Sequence, residues 1–135
     1  YPTIKNYMEQ TKQFAHEHGY VLAFNGRKIT IANINSSNTM LLKAAERAAI
    51  NAPMQGSAAD IIKKAMITIQ QWIDTLPKDT IKMTVQVHDE LLFEVKEEFE
   101  AEAKKFIEQA MEQAATLSIP LSVGIGVSDN WCDAH

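Results

Sequence analysis

The chain has 135 residues, 46% hydrophobic and 22% charged, with one cysteine and a formal net charge of −4. That apolar share supports a packed core and argues against disorder, and a lone Cys132 excludes an internal disulfide framework or a multi-cysteine zinc site. No uninterrupted apolar run nears the roughly 18 residues that a membrane-spanning helix needs.

The charge is lopsided. Residues 1–75 carry 8 Lys and Arg against 5 Asp and Glu, whereas residues 76–135 carry 5 against 12. Binding by phosphate neutralisation alone favours a basic chain, so any nucleic-acid contact is expected mainly from the first half. The opening Tyr1-Pro2-Thr3 has no initiator Met, basic stretch or apolar stretch. An excised piece of a larger protein from a reducing compartment is the expectation, with no signal peptide.

In chain order, Ile4, Tyr7, Met8, Phe14 and Ala15 recur at helical spacing and predict a helix over 4–18, closed by Gly19 at its C-cap. Asn25-Gly26, between the runs YVLAF and RKITI, predicts a β-hairpin with a type I′ turn. Ser36, Ser37 and Asn38 suit the N-cap of a helix over 39–51. Pro53 predicts a break there and the first turn of a further helix to about residue 76. Ile81, Met83, Val85 and Val87 alternate with Lys82, Thr84 and Gln86, which predicts a strand with one apolar face. LLFEV (91–95) follows after His88, Asp89 and Glu90, so the two strands form an antiparallel hairpin with these polar residues at its tip. A helix over 97–116 and a last strand, LSVGIGV, complete the pattern.

Two segments could carry chemistry. In VQVHDELLFEV, three ionisable residues share the tip of an apolar hairpin. Carboxylates there suit a hard divalent cation, which takes oxygen ligands, although a polar tip is also what any exposed hairpin has. In ERAAINAPMQGSAAD, Arg47, Asn51 and Gln55 recur every four residues, with Ala48, Ala49, Ala52, Gly56, Ala58 and Ala59 leaving room beside them. Hydrogen-bond donors in such a row suit the minor groove, whose acceptors all base pairs share; a solvated helix stripe has the same pattern. The histidines of His16-Glu17-His18 are two apart, not the four that place a zinc pair on one helical face.

The segments GYVLAFNGRKITI, AAERAAINAPMQGSAADIIKKAMI, VQVHDELLFEV and the closing NW and AH together resemble the C-terminal part of the bacterial family A DNA polymerases. They stand in the family's order and spacing across essentially the whole chain. The resemblance implies an α+β fold, an antiparallel palm sheet with helices packed on one face. Residues 1–38 then look like the end of the fingers, a helix plus the Asn-Gly hairpin, and residues 39–135 like a palm portion.

It implies a DNA-directed DNA polymerase of replication and repair, working in the bacterial cytoplasm. Its partners would be a DNA primer-template and a deoxynucleoside triphosphate, with no membrane. Asp89 then matches a palm aspartate that ligates Mg²⁺ of a two-metal site, and Glu90 its acidic, supportive neighbour. His88 matches a residue near the primer terminus, and His135 a C-terminus close to the palm site. Arg47, Asn51 and Gln55 match residues that contact the template-primer duplex from the minor groove. Lys28-Ile29 departs from the family, where further arginines often stand.

The family's first motif, with the other essential aspartate, and the helix that holds the incoming nucleotide have no counterpart in this sequence. The isolated chain is therefore expected not to polymerise DNA, to bind Mg²⁺ weakly, and to self-associate through surfaces left bare. Two other functions fit the residues alone. One is a noncatalytic α+β binding or assembly module; the other is a small metal-dependent phosphodiesterase using Asp89 and Glu90.

Overall fold

Pro2 opens α1 (Pro2–His18) in the first turn, where a missing N–H costs nothing. Gly19 ends the helix at φ 76°, and its N–H reaches the Ala15 carbonyl at 2.8 Å. The computed structural model describes residues 1–134. They divide into two compact units, one from Tyr1 to Ala58 and one from Ala59 onward.

In the first unit, β1 (Tyr20–Leu22) pairs antiparallel with β2 (Lys28–Thr30). The hairpin is present, but its turn is not the two-residue type I′ that Asn25-Gly26 predicts. Only Gly26 has positive φ, at 81°. The Gly26 N–H bonds the Ala23 carbonyl and the Ala23 N–H bonds the Arg27 carbonyl, each at 2.9 Å. The loop is therefore Phe24-Asn25-Gly26, a tight turn closed by a left-handed glycine, which leaves Asn25 in ordinary backbone space.

Asn38 caps α2 (Thr39–Ile73), its Oδ1 accepting from the N–H of Met40 and of Leu41 at 2.9 and 3.3 Å. The break expected at Pro53 does not occur, and one helix of 35 residues carries Pro53 inside it. Proline removes the donor for the Ala49 carbonyl, yet nearby contacts hold the turn in place. The Tyr7 hydroxyl donates to the Ile50 carbonyl at 3.3 Å, and the Ser57 hydroxyl donates to the Pro53 carbonyl. Ser57 Oγ also accepts from the Phe24 N–H at 2.9 Å, which fastens the hairpin to α2. Beneath lies a core of Ala15, Val21, Ile31, Ile34, Ala45 and Ala49. Tertiary packing of this kind outweighs a local breaker.

In the second unit, β3 (Ile81–Val87) pairs antiparallel with β4 (Glu90–Val95). A 3₁₀ turn (Glu97–Phe99) leads into α3 (Glu100–Glu112), shorter than the predicted helix at its C-terminal end. Ala65, Ile69, Ile81, Ala103, Ile107, Ala110 and Ala114 form the core, and the rings of Trp72 and Phe106 stack at 4.2 Å.

The predicted last strand is not formed: residues 121–127 belong to neither two-stranded sheet. Leu121, Val123 and Ile125 are half-buried while Ser122, Gly124 and Gly126 are exposed. The alternation is thus expressed as burial, with no strand partner among the described residues to convert it into a ladder. No described helix is long and apolar enough to cross a membrane.

Candidate functional site

The β3–β4 hairpin shows how the sequence sets its tip. Val87 pairs with Glu90, so Glu90 begins β4 and the turn is only His88-Asp89, not the three residues expected. A two-residue turn with a regular ladder would pair Lys82, Thr84 and Gln86 with Val95, Phe93 and Leu91, placing polar residues on the core face. The structure avoids this with a bulge between Met83 and Val85. Thr84 is the extra residue, and its hydroxyl donates to the Leu92 carbonyl at 3.1 Å. Met83 then pairs with Phe93 and Ile81 with Val95, which returns both to the core.

Directly paired residues share a face, so beyond the bulge the predicted single apolar face is lost. Gln86 lies on the face of Leu91, and Val85 sides with Leu92 and is 41% exposed. A bulge re-aims the strand end that follows it, and here that end carries the acidic turn.

His88 has φ 51°, a left-handed conformation that is uncommon for a residue with a β-carbon. The Gln86 side-chain amide donates to the His88 carbonyl at 2.6 Å and fixes the peptide that leads into Asp89. No spacing or motif in the chain marks that contact. His88, Asp89 and Glu90 are all exposed. Asp89 has no hydrogen-bond or ion-pair partner among the described residues, so both its oxygens are available. Among the described residues no group of three His, Cys, Asp or Glu side chains could hold a metal ion.

Arg47, Asn51 and Gln55 stand on one continuous helix, α2, and all three are exposed. Steps of four residues advance about 6 Å along the axis and drift slowly around it. None of the three has a partner among the described residues, so their donors face solvent unspent. The small residues beside them are not all open. Ala49 is fully buried, and Gly56 lies under Ile29 of the hairpin, leaving Ala48 and Ala58 exposed. Arg27 turns back to α2, where its Nη2 donates to the Gly56 carbonyl at 3.2 Å, and Lys28 sits 4.6 Å above the Tyr20 ring. His135 lies outside the described residues.

The model of "DNA polymerase family A" matches residues 1–133. The chain belongs to that family. DNA polymerase I of Pseudomonas aeruginosa is 45% identical over 135 residues, covering 100% of this chain and 15% of the relative. DNA polymerase I of Rhizobium leguminosarum is 42% identical over 140 aligned residues, again covering 100% of this chain and 14% of the relative. Among solved structures, the POL domain of Pol1 from M. smegmatis, in complex with DNA primer-template and dNTP, superposes with a TM-score of 0.90. Its identity is 41% over 96% of this chain and 23% of that one. The chain thus spans about 15% of the length of the curated polymerases it matches. The fold is mixed α and β, as the resemblance implies, with three α-helices and two small antiparallel sheets among the described residues.

Proposed function

We propose that this chain forms part of a DNA-directed DNA polymerase, and that its two exposed clusters serve template-directed nucleotidyl transfer to a primer 3′ end. The observation that carries this reading is the turn at Asp89. An unpartnered carboxylate sits at an exposed tip, re-aimed by a bulge, in a chain of the polymerase family. Family membership supports a divalent metal cofactor, for which we propose Mg²⁺. Asp89 offers the hard oxygen donors such an ion prefers, and Glu90 is its acidic neighbour. With no described group of three ligands, the remaining oxygens would come from water, phosphate or residues beyond this chain. Bound there, the ion would supply positive charge to the phosphates in transfer.

The chain's own residues bind and orient. Asn51 and Gln55 would donate amide hydrogens to minor-groove acceptors near the terminal base pair, and Arg47 would add a charged contact in the same row. His88, held at the turn by Gln86, would lie against the primer end. Contacts to acceptors common to all base pairs grip the duplex without preferring a sequence. In this reading residues 1–38 are the end of the fingers and residues 39–135 a palm portion. A DNA primer-template and a deoxynucleoside triphosphate are the partners, the like of which the mycobacterial neighbour holds. The bacterial relatives support a cytoplasmic place of work.

Primer extension tests the proposal. In a family A polymerase carrying this segment, Asp89→Asn is expected to lower kcat by at least about a hundredfold, or about 2.7 kcal/mol of barrier. The 135-residue chain alone is expected to incorporate no nucleotide. An Asp89→Asn enzyme extending primers at the parent's rate would remove Asp89 from the chemistry.

A further inference from the structure

His16 is half-buried near the end of α1 and is bonded through both ring nitrogens. Its Nδ1 lies 3.0 Å from Asn35 Oδ1, on the segment that leads to α2, and its Nε2 lies 3.1 Å from Glu46 Oε1 on α2 itself. The orientation of the Asn35 amide is set independently, because its Nδ2 donates to the His16 carbonyl at 3.1 Å. Asn35 therefore presents an oxygen, not a nitrogen, to the ring. The ionised Glu46 carboxylate can only accept. Both partners are acceptors, so both ring nitrogens must carry hydrogen, and only the imidazolium form satisfies the two bonds together. A neutral ring turns a lone pair toward one of the oxygens and loses that bond.

We propose that His16 is a proton-operated clasp that ties α1, the segment around Asn35 and the first turns of α2 together, closed when the ring is charged and released when it is neutral. The charged groups around it support that sense. Glu46 is the carboxylate that reaches the ring, and the Asn35 segment contributes a neutral amide. On α1, Lys12 is spent on Glu9 at 3.1 Å and Glu17 accepts from Gln13 at 2.9 Å. His18 stacks on Phe14 and bonds its carbonyl. Lys43 and Arg47 flank Glu46 on α2, and neither has a described contact with the ring.

The hydrogen bonds to Asn35 and then Glu46 hold the His16 pKa above its ordinary 6.5, against a smaller opposing effect of burial. A folded pKa raised above the unfolded value gives stabilisation that is complete below 6.5 and lost as pH rises through the folded pKa. The clasp thus opens toward alkaline pH. The consequence lies within the first unit, where Glu46 is the residue before Arg47. Proton loss at His16 unpins the part of α2 on which the exposed Arg47–Asn51–Gln55 row begins.

The test is an NMR titration of the histidines in this chain, paired with amide exchange corrected for the intrinsic pH dependence. His16 is expected to titrate above 6.5, and Glu46→Gln is expected to lower that midpoint. Protection of the amides from Asn35 to Asn38 is expected to fall about threefold or more between the closed and open forms, with no such fall in His16→Gln. A His16 midpoint at or below 6.5, or one that Glu46→Gln leaves in place, overturns the clasp without any variant having to lose its fold. Equal pH profiles of protection in the parent and His16→Gln do the same.

Discussion

A β-carbon on Gly56 would stand 2.4 Å from Ile29 Cδ1 and 3.2 Å from Arg27 Nη2. The position is helical, so alanine would gain about 1 kcal/mol of propensity over glycine. Forcing a methyl group into occupied space costs about 1–3 kcal/mol. The collision lies with the last atom of the Ile29 side chain, which Ile29→Val removes. Gly56→Ala is therefore expected to destabilise the chain by about 1 kcal/mol alone and to become stabilising in an Ile29→Val background. Urea titration of the four members of that cycle checks the coupling. Additive effects would mean that Ile29 is not what excludes a side chain. The same residue shows the reach of sequence at this scale. Small residues from Ala48 to Ala59 signal close approach, and the approach is real, but at Gly56 the visitor is the chain's own hairpin. His88 and Gln86 make the complementary case. Histidine at positive φ is marked by nothing in VQVHDE, because the two-residue turn that demands it follows from strand register, not from residue type.

Secondary elements were legible where periodicity and capping agreed. Gly19 and Asn38 end and begin helices where their chemistry says they should, and the alternation of residues 81–87 and 91–95 marks a true hairpin. Two of the misreadings share a cause: a non-local contact overrode a local rule. Pro53 should break a helix, yet Tyr7 and Ser57 supply hydrogen bonds around it, and the buried Ala45 and Ala49 anchor the turns before it. Seven residues of strict alternation should form one apolar face, yet the short turn shifts the register and Thr84 absorbs the shift. Deleting Thr84 tests that account. The deletion keeps every cross-strand partner and removes one unpaired residue with its bond to the Leu92 carbonyl, so the expected loss is about 1 kcal/mol. Cross-strand NOEs should persist for Met83–Phe93, Val85–Leu92 and Val87–Glu90. A register that slips by one residue instead would show that the bulge, and not the turn, sets the pairing.

On the scale of the whole molecule, charge separates the two units. Residues 1–58 carry 6 Lys and Arg against 3 Asp and Glu, and residues 59–135 carry 7 against 14. The exposed polar row lies in the first and the acidic turn in the second, so the proposed duplex grip falls on the basic unit and the proposed cation chemistry on the acidic one. The family was legible because several segments, the middle two long and specific, match it in order; the metal role proposed for Asp89 rests on that match, since one carboxylate at a tip has many uses. The grip itself makes a sharper demand. Each phosphate neutralised releases condensed counterions and steepens the salt dependence of binding, whereas neutral amides contribute affinity without changing that slope. In a polymerase carrying this segment, Arg47→Ala is expected to reduce the slope of log affinity against log salt by about one. Asn51→Ala and Gln55→Ala are each expected to cost about 0.5–1.5 kcal/mol of binding with the slope unchanged. Both amide losses should be equal for primers ending in A·T and in G·C, because the acceptors in question are common to each. Filter binding across a salt series with the two termini gives both numbers. A slope that responds to the amides as it does to Arg47, or a loss confined to one base pair, would mean that the row meets backbone phosphates or reads sequence, and is not a base-blind minor-groove contact.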